Sequence, residues 1–368
     1  MKIKKRYIYS TLFSLLITLL VSCDPSFEIA RRIAEPDREV LVIHNLGQSL
    51  GYYDLEKEVY YNKGSNGEPF LLGNSPNQLV VDKVRNLIFS INSTSNSITY
   101  LNLSTLQWLD EVYLGVGVNP WNMVINTDNP RLAYISGWLS NEILIFDVVE
   151  KRVLSQIPLD LFGSHPEGII YHNGFLYTTY INFLGNNSYD SGGVVVHQVD
   201  GQDLTYLEHK ETGVNPQSLF IDESSRLHVV CTGINDEDLT TSNDGKIEVF
   251  DINSTSGTLT LSKTIPINGS PLFSSSGRDI VNHIVYLTNT GGYITSYNSD
   301  TLSIVHDESN PLYRDEDETL FSSAIFVDST LILTSFHKDT LIFIDTEGNF
   351  IEEVRTGDGP HSAIVKER

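Results

Sequence analysis

Three histidines stand where imidazoles could meet: His165 and His361 flank prolines in separate parts of the chain, and His337 lies in a further polar stretch. Converging imidazoles bind transition metals. The chain has no His-x-His, His-Glu-x-x-His or Cys-x-x-Cys spacing, so no metal centre and no cofactor is expected. The acidic runs Asp236-Glu237-Asp238 and Asp315-Glu316-Asp317-Glu318 lack the alternating ligands and central glycine of a calcium loop and read as solvated surface. There is no Gly-x-Ser-x-Gly elbow, phosphate loop or dinucleotide fingerprint. Carboxylates are plentiful, but acids that cleave glycosides are recognised by their separation in space. Two functional classes follow: a binding module without catalysis, and a hydrolase using carboxylates or a bound metal.

A second set of residues suits recognition. Trp121 and Trp138, with Tyr180, Phe183 and Tyr189, could form an aromatic platform, since such rings combine a large contact area with a polar handle. The alternative is packing between structural elements. Asn119, His165, Asn215, Phe336, His337 and His361 complete the candidate ligand-binding set, and a small molecule or an envelope protein is the expected partner.

These residues are positioned by a recurring mark, Gly-x-x-Pro followed by an apolar run. It stands at Gly73-Asn74-Ser75-Pro76, Gly117-Val118-Asn119-Pro120, Gly163-Ser164-His165-Pro166, Gly213-Val214-Asn215-Pro216 and Gly357-Asp358-Gly359-Pro360, with a degenerate copy at Gly269-Ser270-Pro271. A repeat of roughly 40 to 50 residues means a propeller or a solenoid. Glycine is expected to supply backbone freedom at the crossing, and proline to fix φ where a strand begins.

After each mark come short runs rich in Val, Ile, Leu, Phe and Tyr, bounded by Asn, Asp, Ser and Gly, which read as strands. Around the third mark they fall at 168–171, 175–181, 193–199 and 206–210. The sixth unit opens on the polar run 272–276, and the seventh lacks the proline. Runs at 40–44, 50–55 and 59–62 make three strands of a blade without its first, whereas 362–366 is a first strand without successors. If the last strand completes the first blade, the chain is an all-β, seven-bladed β-propeller over residues 39–368, closed with no free edge. In such a ring the loops entering the first strand and those joining the second and third share one face. That face would gather Asn45, Asn74, Asn92, the candidate set above, and two enlarged loops, 182–192 and 233–245. The innermost strands begin with Gln78, Asn122, Glu167, Gln217 and His361.

Composition bounds the partners. With 47 Asp plus Glu against 24 Lys plus Arg, the formal charge is −23. Such a surface repels phosphate backbones, which excludes nucleic acid. Residues 1–22 carry Lys2, Lys4, Lys5 and Arg6 ahead of a short apolar run, as an export signal does. Leu20-Val21-Ser22-Cys23 resembles the bacterial lipobox, which makes Cys23 the lipidation site, 23–38 a tether, and the location the cell envelope through a lipid anchor. Cys231 then has no partner and reads as a small buried hydrophobe. The chain is expected to act as a monomer.

The mark, together with the cadence of Ile98 to Leu103 and the Ile-x-Ile-Phe-Asp pattern within 142–147, 246–251 and 340–345, resembles the YVTN-type, or YncE-like, seven-bladed propellers. The Tyr-Val-Thr-Asn run itself is only echoed, in Val285-Tyr286-Leu287-Thr288-Asn289. The resemblance implies a binding protein, and with a lipid anchor it is similar to the surface propellers that capture corrinoids for an outer-membrane transporter. Metal-dependent lactonases on propellers are the enzymatic counterpart.

Overall fold

The computed structural model describes residues 38–186, 188–233, 244–267, 276–315, 317 and 321–367. Residues 1–37, with Cys23 and all of the tether but Arg38, lie outside them, as does Asp236-Glu237-Asp238 with most of the second enlarged loop. The described residues contain strands and turns and no helix.

Among the described residues seven antiparallel sheets of four or five strands follow one another as blades 1 to 7, at 38–71 with 360–367, 76–113, 120–158, 166–214, 216–266, 277–314 and 321–355, and a two-stranded hairpin lies within blade 4. Blade 3 is typical: Pro120–Ile125 is innermost, followed outwards by Leu132–Gly137, Glu142–Asp147 and Arg152–Pro158. Its middle strands are buried on both faces, which is why they read as continuous apolar runs, whereas no residue of the outer strand is buried. Each interface between successive blades has its own apolar core, seven in all among the described residues. Between blades 2 and 3, for example, Phe89, Ile91 and Tyr100 meet Met123, Ile135 and Phe146.

The chain ends close the ring as expected. Pro360–Glu367 pairs antiparallel with Arg38–His44, setting Val40 opposite Val365 and Val42 opposite Ala363. Lys366 Nζ donates to Glu39 Oε2 at 2.6 Å, both side chains being buried. His44, also fully buried, bonds Tyr60 Oη through Nε2 at 2.6 Å and Ser49 Oγ through Nδ1 at 2.9 Å, and its Nε2 accepts the Gly357 N–H at 3.1 Å. Strands from the two ends of the sequence are thereby joined by a ladder, a buried ion pair and a saturated imidazole.

The marks divide their work differently from the sequence expectation. The residue in the left-handed region is the third of the tetrapeptide: Ser75, Asn119, His165, Asn215 and Gly359 have φ between 47° and 66°. Among the first glycines only Gly117 is in that region. The others make room. A Cβ on Gly73, Gly163, Gly213 or Gly357 would collide with Asn92, Tyr180, Lys246 beside Cys231, or His44. Asn92, Tyr180, Cys231 and His44 each end the second strand of their own blade. In blade 3 that strand ends in Gly137, and there Gly117 has nothing to clear. Two of the Ile-x-Ile-Phe-Asp aspartates serve turns on the opposite face: Asp147 Oδ1 accepts the N–H groups of Val149 and Glu150, and Asp345 Oδ1 those of Glu347 and Asn349, whereas after 246–251 the acceptor is Asn253 Oδ1.

Apart from Ser276, the run 272–276 lies outside the described residues, and the first described strand of blade 6 is Gly277–Asp279. Two details were not expected. The outer strands of blades 1 and 6 are interrupted: Val59–Tyr61 is followed by an excursion before Phe70–Leu71 rejoins the sheet, and Ser303–His306 likewise precedes Tyr313–Arg314. Asp315, read as solvated surface, is instead paired with Lys338 at 2.6 Å.

Candidate functional site

The face that carries the marks also carries the loops joining second and third strands, and backbone bonds stitch the two. Ser93 N donates to Ser75 O, Trp138 N to Asn119 O, Ile181 N to His165 O, and Thr232 N to Asn215 O, at 3.0 to 3.2 Å. Each left-handed residue turns its carbonyl towards the adjoining loop and so fixes where that loop's first side chain stands.

At blades 3 and 4 this brings five rings together. Trp121 follows Pro120 on the innermost strand, and its ring lies 6.3 Å from Trp138. Trp138 lies 4.4 Å from His165 and 5.7 Å from Phe183. The loop 182–192 folds as a hairpin, Phe183–Gly185 with Ser188–Tyr189, which sets the Phe183 ring 5.2 Å from that of Tyr189, tilted by 50°. All five side chains are partly exposed. Beneath them is Glu167, 2 % exposed, whose Oε1 accepts the Trp138 Nε1–H at 3.0 Å while Oε2 is buried without a partner. Burial pushes the Glu167 carboxyl up to about 8, against the smaller opposing pull of the indole N–H. Burial lowers the pKa of His165, so its imidazole, bonded through Nδ1 to Ser164 Oγ at 2.9 Å, is neutral at pH 7.

Unsatisfied amides adjoin this group. Asn215 is 1 % exposed and neither its Oδ1 nor its Nδ2 has a partner, and the same holds for Gln217 Oε1 and Asn119 Oδ1. A buried polar atom without a partner costs about 1–3 kcal/mol. Other buried unpaired atoms lie elsewhere in the ring, as at Thr288, Asn289 and Thr290 of blade 6, but those of Asn119, Asn215 and Gln217 adjoin partly exposed rings, where a ligand could supply the missing bonds.

The other candidates fall elsewhere. Tyr180 is core: it is 3 % exposed and its ring lies against Gly163 and Gly193, below the platform rather than on it. Phe336, His337 and His361 form a second, smaller ring cluster at blades 7 and 1, with Phe336 lying 5.7 Å from His337 and 6.4 Å from His361. His361 is partly exposed, yet the enclosing blades lower its pKa to about 4. His165 and His361 thus belong to different clusters, and among the described residues no group of three or more His, Cys, Asp or Glu converges. Cys231 is buried and its thiol is pushed up to about 12 by burial, which makes it unreactive. A groove of about 710 Å³ lies on the outer flank of blades 1 and 2, lined by Phe70 and Trp108. It holds no buried unpaired group.

Sequence reasoning noted Glu167 only as the start of an innermost strand. Its signal was available: among the residues that follow the marks' prolines, Asn77, Trp121, Glu167, Gln217 and His361, it is the one carboxylic acid.

No family model and no curated protein matches the chain. Solved structures do. A putative 6-phosphogluconolactonase from Bacteroides uniformis is 11 % identical, with 90 % of this chain and 100 % of that chain covered, at a TM-score of 0.65. The periplasmic gluconolactonase PpgL of Pseudomonas aeruginosa is 11 % identical, covering 89 % and 98 %, also at 0.65. Apo AztD from Citrobacter koseri is 12 % identical, covering 90 % and 98 %, at 0.53. At these identities the likeness is one of fold: the chain is a seven-bladed β-propeller.

Proposed function

We propose that the chain is an exported, lipid-anchored propeller of the cell envelope that holds a small ligand or an envelope partner on the arc of blades 3 to 5 without turning it over, and acts as a monomer. The observation that carries this reading is the partly exposed ring platform set directly over a buried carboxyl and beside unpaired amides. Anchoring rests on Leu20-Val21-Ser22-Cys23, and kinship with the YVTN-type propellers on the repeat cadence. Capture of a corrinoid-type nutrient for an outer-membrane transporter is the sharpest version.

A hydrolytic reading has one observation in its favour, the protonated Glu167 as a general acid. It lacks a second acid beside Glu167 among the ring residues, although a hydroxyl is there, Ser164 Oγ, bonded to His165 Nδ1 at 2.9 Å. Calorimetric titration of the mature chain with corrinoids, sugars and lactones tests both readings. Heat of binding without turnover, abolished by Trp138→Ala, is expected. Turnover of any lactone that Glu167→Gln removes would favour the enzyme, and silence across the panel would sink the corrinoid version.

A further inference from the structure

The chemistry of the platform narrows the ligand class, on the reading that this arc binds a ligand. Aromatic faces carry negative electrostatic potential and attract cations, most strongly where water is partly excluded. Here Trp121, Trp138, Phe183 and Tyr189 offer four such rings within one chain of contacts, each 5.2 to 6.3 Å from its neighbour. Trp138 is distinctive because its indole N–H is given to a carboxyl oxygen, and when that carboxyl ionises the indole has the more electron-rich face.

The group beneath it points the same way. Glu167 is the one acid under the rings, and its second oxygen has no partner. No lysine or arginine is among the assembled side chains, and His165 is neutral. A buried acid normally has a cation or hydrogen-bond donors to hold its charge. Here it has one N–H, so that burial keeps it largely protonated near neutrality, as suits an acid whose counter-charge is not part of the protein. A hard divalent ion is less well matched, because Glu167 is the one anionic ligand there and the other unpaired oxygens, Asn119 Oδ1, Asn215 Oδ1 and Gln217 Oε1, are neutral amides. A soft, weakly hydrated cation needs no such shell.

We propose that the arc of blades 3 and 4 takes its ligand through a monovalent organic cation, an ammonium or alkylated ammonium group, seated on Trp138 and its neighbouring rings, with Glu167 giving up its proton to solvent as the cation binds and so becoming the counter-charge beneath. The excess of acidic side chains, 47 against 24 basic, draws such ligands towards the surface but does not select this site. Selection comes from the rings.

The test compares choline with its uncharged carbon isostere 3,3-dimethylbutan-1-ol on the mature chain, by calorimetry and by tryptophan fluorescence, since two of the three tryptophans are in the site. Choline is expected to bind roughly tenfold more tightly than the isostere. Trp138→Ala should abolish binding of both. Glu167→Gln should reduce the preference for the charged ligand without abolishing it, and Trp138→Phe, which keeps a ring but not the N–H, should weaken it as well. Melting curves of each variant show that it is folded, and if Trp138→Ala is not, Trp138→Phe decides. Equal affinity for the charged and neutral ligands, or no choline binding to folded protein, overturns the cation class. Corrinoid or sugar binding lost in the same variants would then leave the binding reading standing, and its absence as well would remove both.

Discussion

Blade 1 and blade 4 use the same parts to opposite ends. In each, a Gly-x-x-Pro glycine leaves room for the last side chain of the second strand, His44 in one and Tyr180 in the other. In each, a buried titratable group stands against an aromatic side chain. At blade 1 every polar atom of that group is used: His44 bonds Tyr60, Ser49 and the Gly357 N–H, and Lys366 meets Glu39. At blade 4 Glu167 is bonded once, by Trp138, and its other oxygen is left over. The difference teaches how to tell hardware from a site on a repetitive fold: saturation marks the joint, and an unspent hydrogen-bonding atom beneath accessible rings marks the place for a ligand.

Breaking the joint should have the largest effect. Lys366→Met strands Glu39 in the closing sheet and is expected to cost about 3–5 kcal/mol in urea unfolding. Replacing both partners with apolar residues should recover most of it. Wild-type stability in Lys366→Met would mean that the ladder alone closes the ring.

Titration should separate the two regions by sign. Burial lowers His44 from 6.5 to about 4, so the unfolded chain binds more protons in that interval. Its contribution is complete above pH 6.5 and is lost as the pH falls through 4, by roughly 3 kcal/mol. Glu167 is raised from 4.5 to about 8, so there the folded chain binds more protons. Its contribution is complete below pH 4.5 and is lost as the pH rises through 8. Denaturant titrations of Glu167→Gln should therefore match wild type at pH 4.5 and show the variant more stable by roughly 3 kcal/mol at pH 7. A constant difference between the two pH values would mean that Glu167 does not titrate as its burial requires.

The smallest effect distinguishes space from backbone freedom. Gly163→Ala drives a methyl into the Tyr180 ring and should cost about 1–3 kcal/mol. Gly117→Ala meets nothing within 4 Å and pays only for φ of +72°, about 1 kcal/mol. Equal melting temperatures for the two would remove the clash as the reason for the glycine.

The architecture was legible because it is written in periodic, local signals. Four short strands per unit, a mark before each innermost strand, and incomplete runs at 40–62 and 362–366 permitted one closed count, and the pairing of Pro360–Glu367 with Arg38–His44 agrees with it. The interruptions in the outer strands of blades 1 and 6 were not legible, because an excursion that leaves and rejoins a sheet has no period of its own.

The sequence by itself determined the all-β repeat, the seven blades, the acidity and the aromatic loop content, all of which depend on residue order along the chain. Only the tertiary structure decided that Tyr180 is core while Trp138 is rim, that His165 and His361 belong to separate clusters, and that Glu167 lies under an indole. Those distinctions depend on which side chains from neighbouring blades and loops meet, and how deeply they are buried. Depth is a property of the closed ring, so a carboxyl that looks ordinary in the chain becomes a buried acid with one oxygen to spare only when blades 3, 4 and 5 stand side by side.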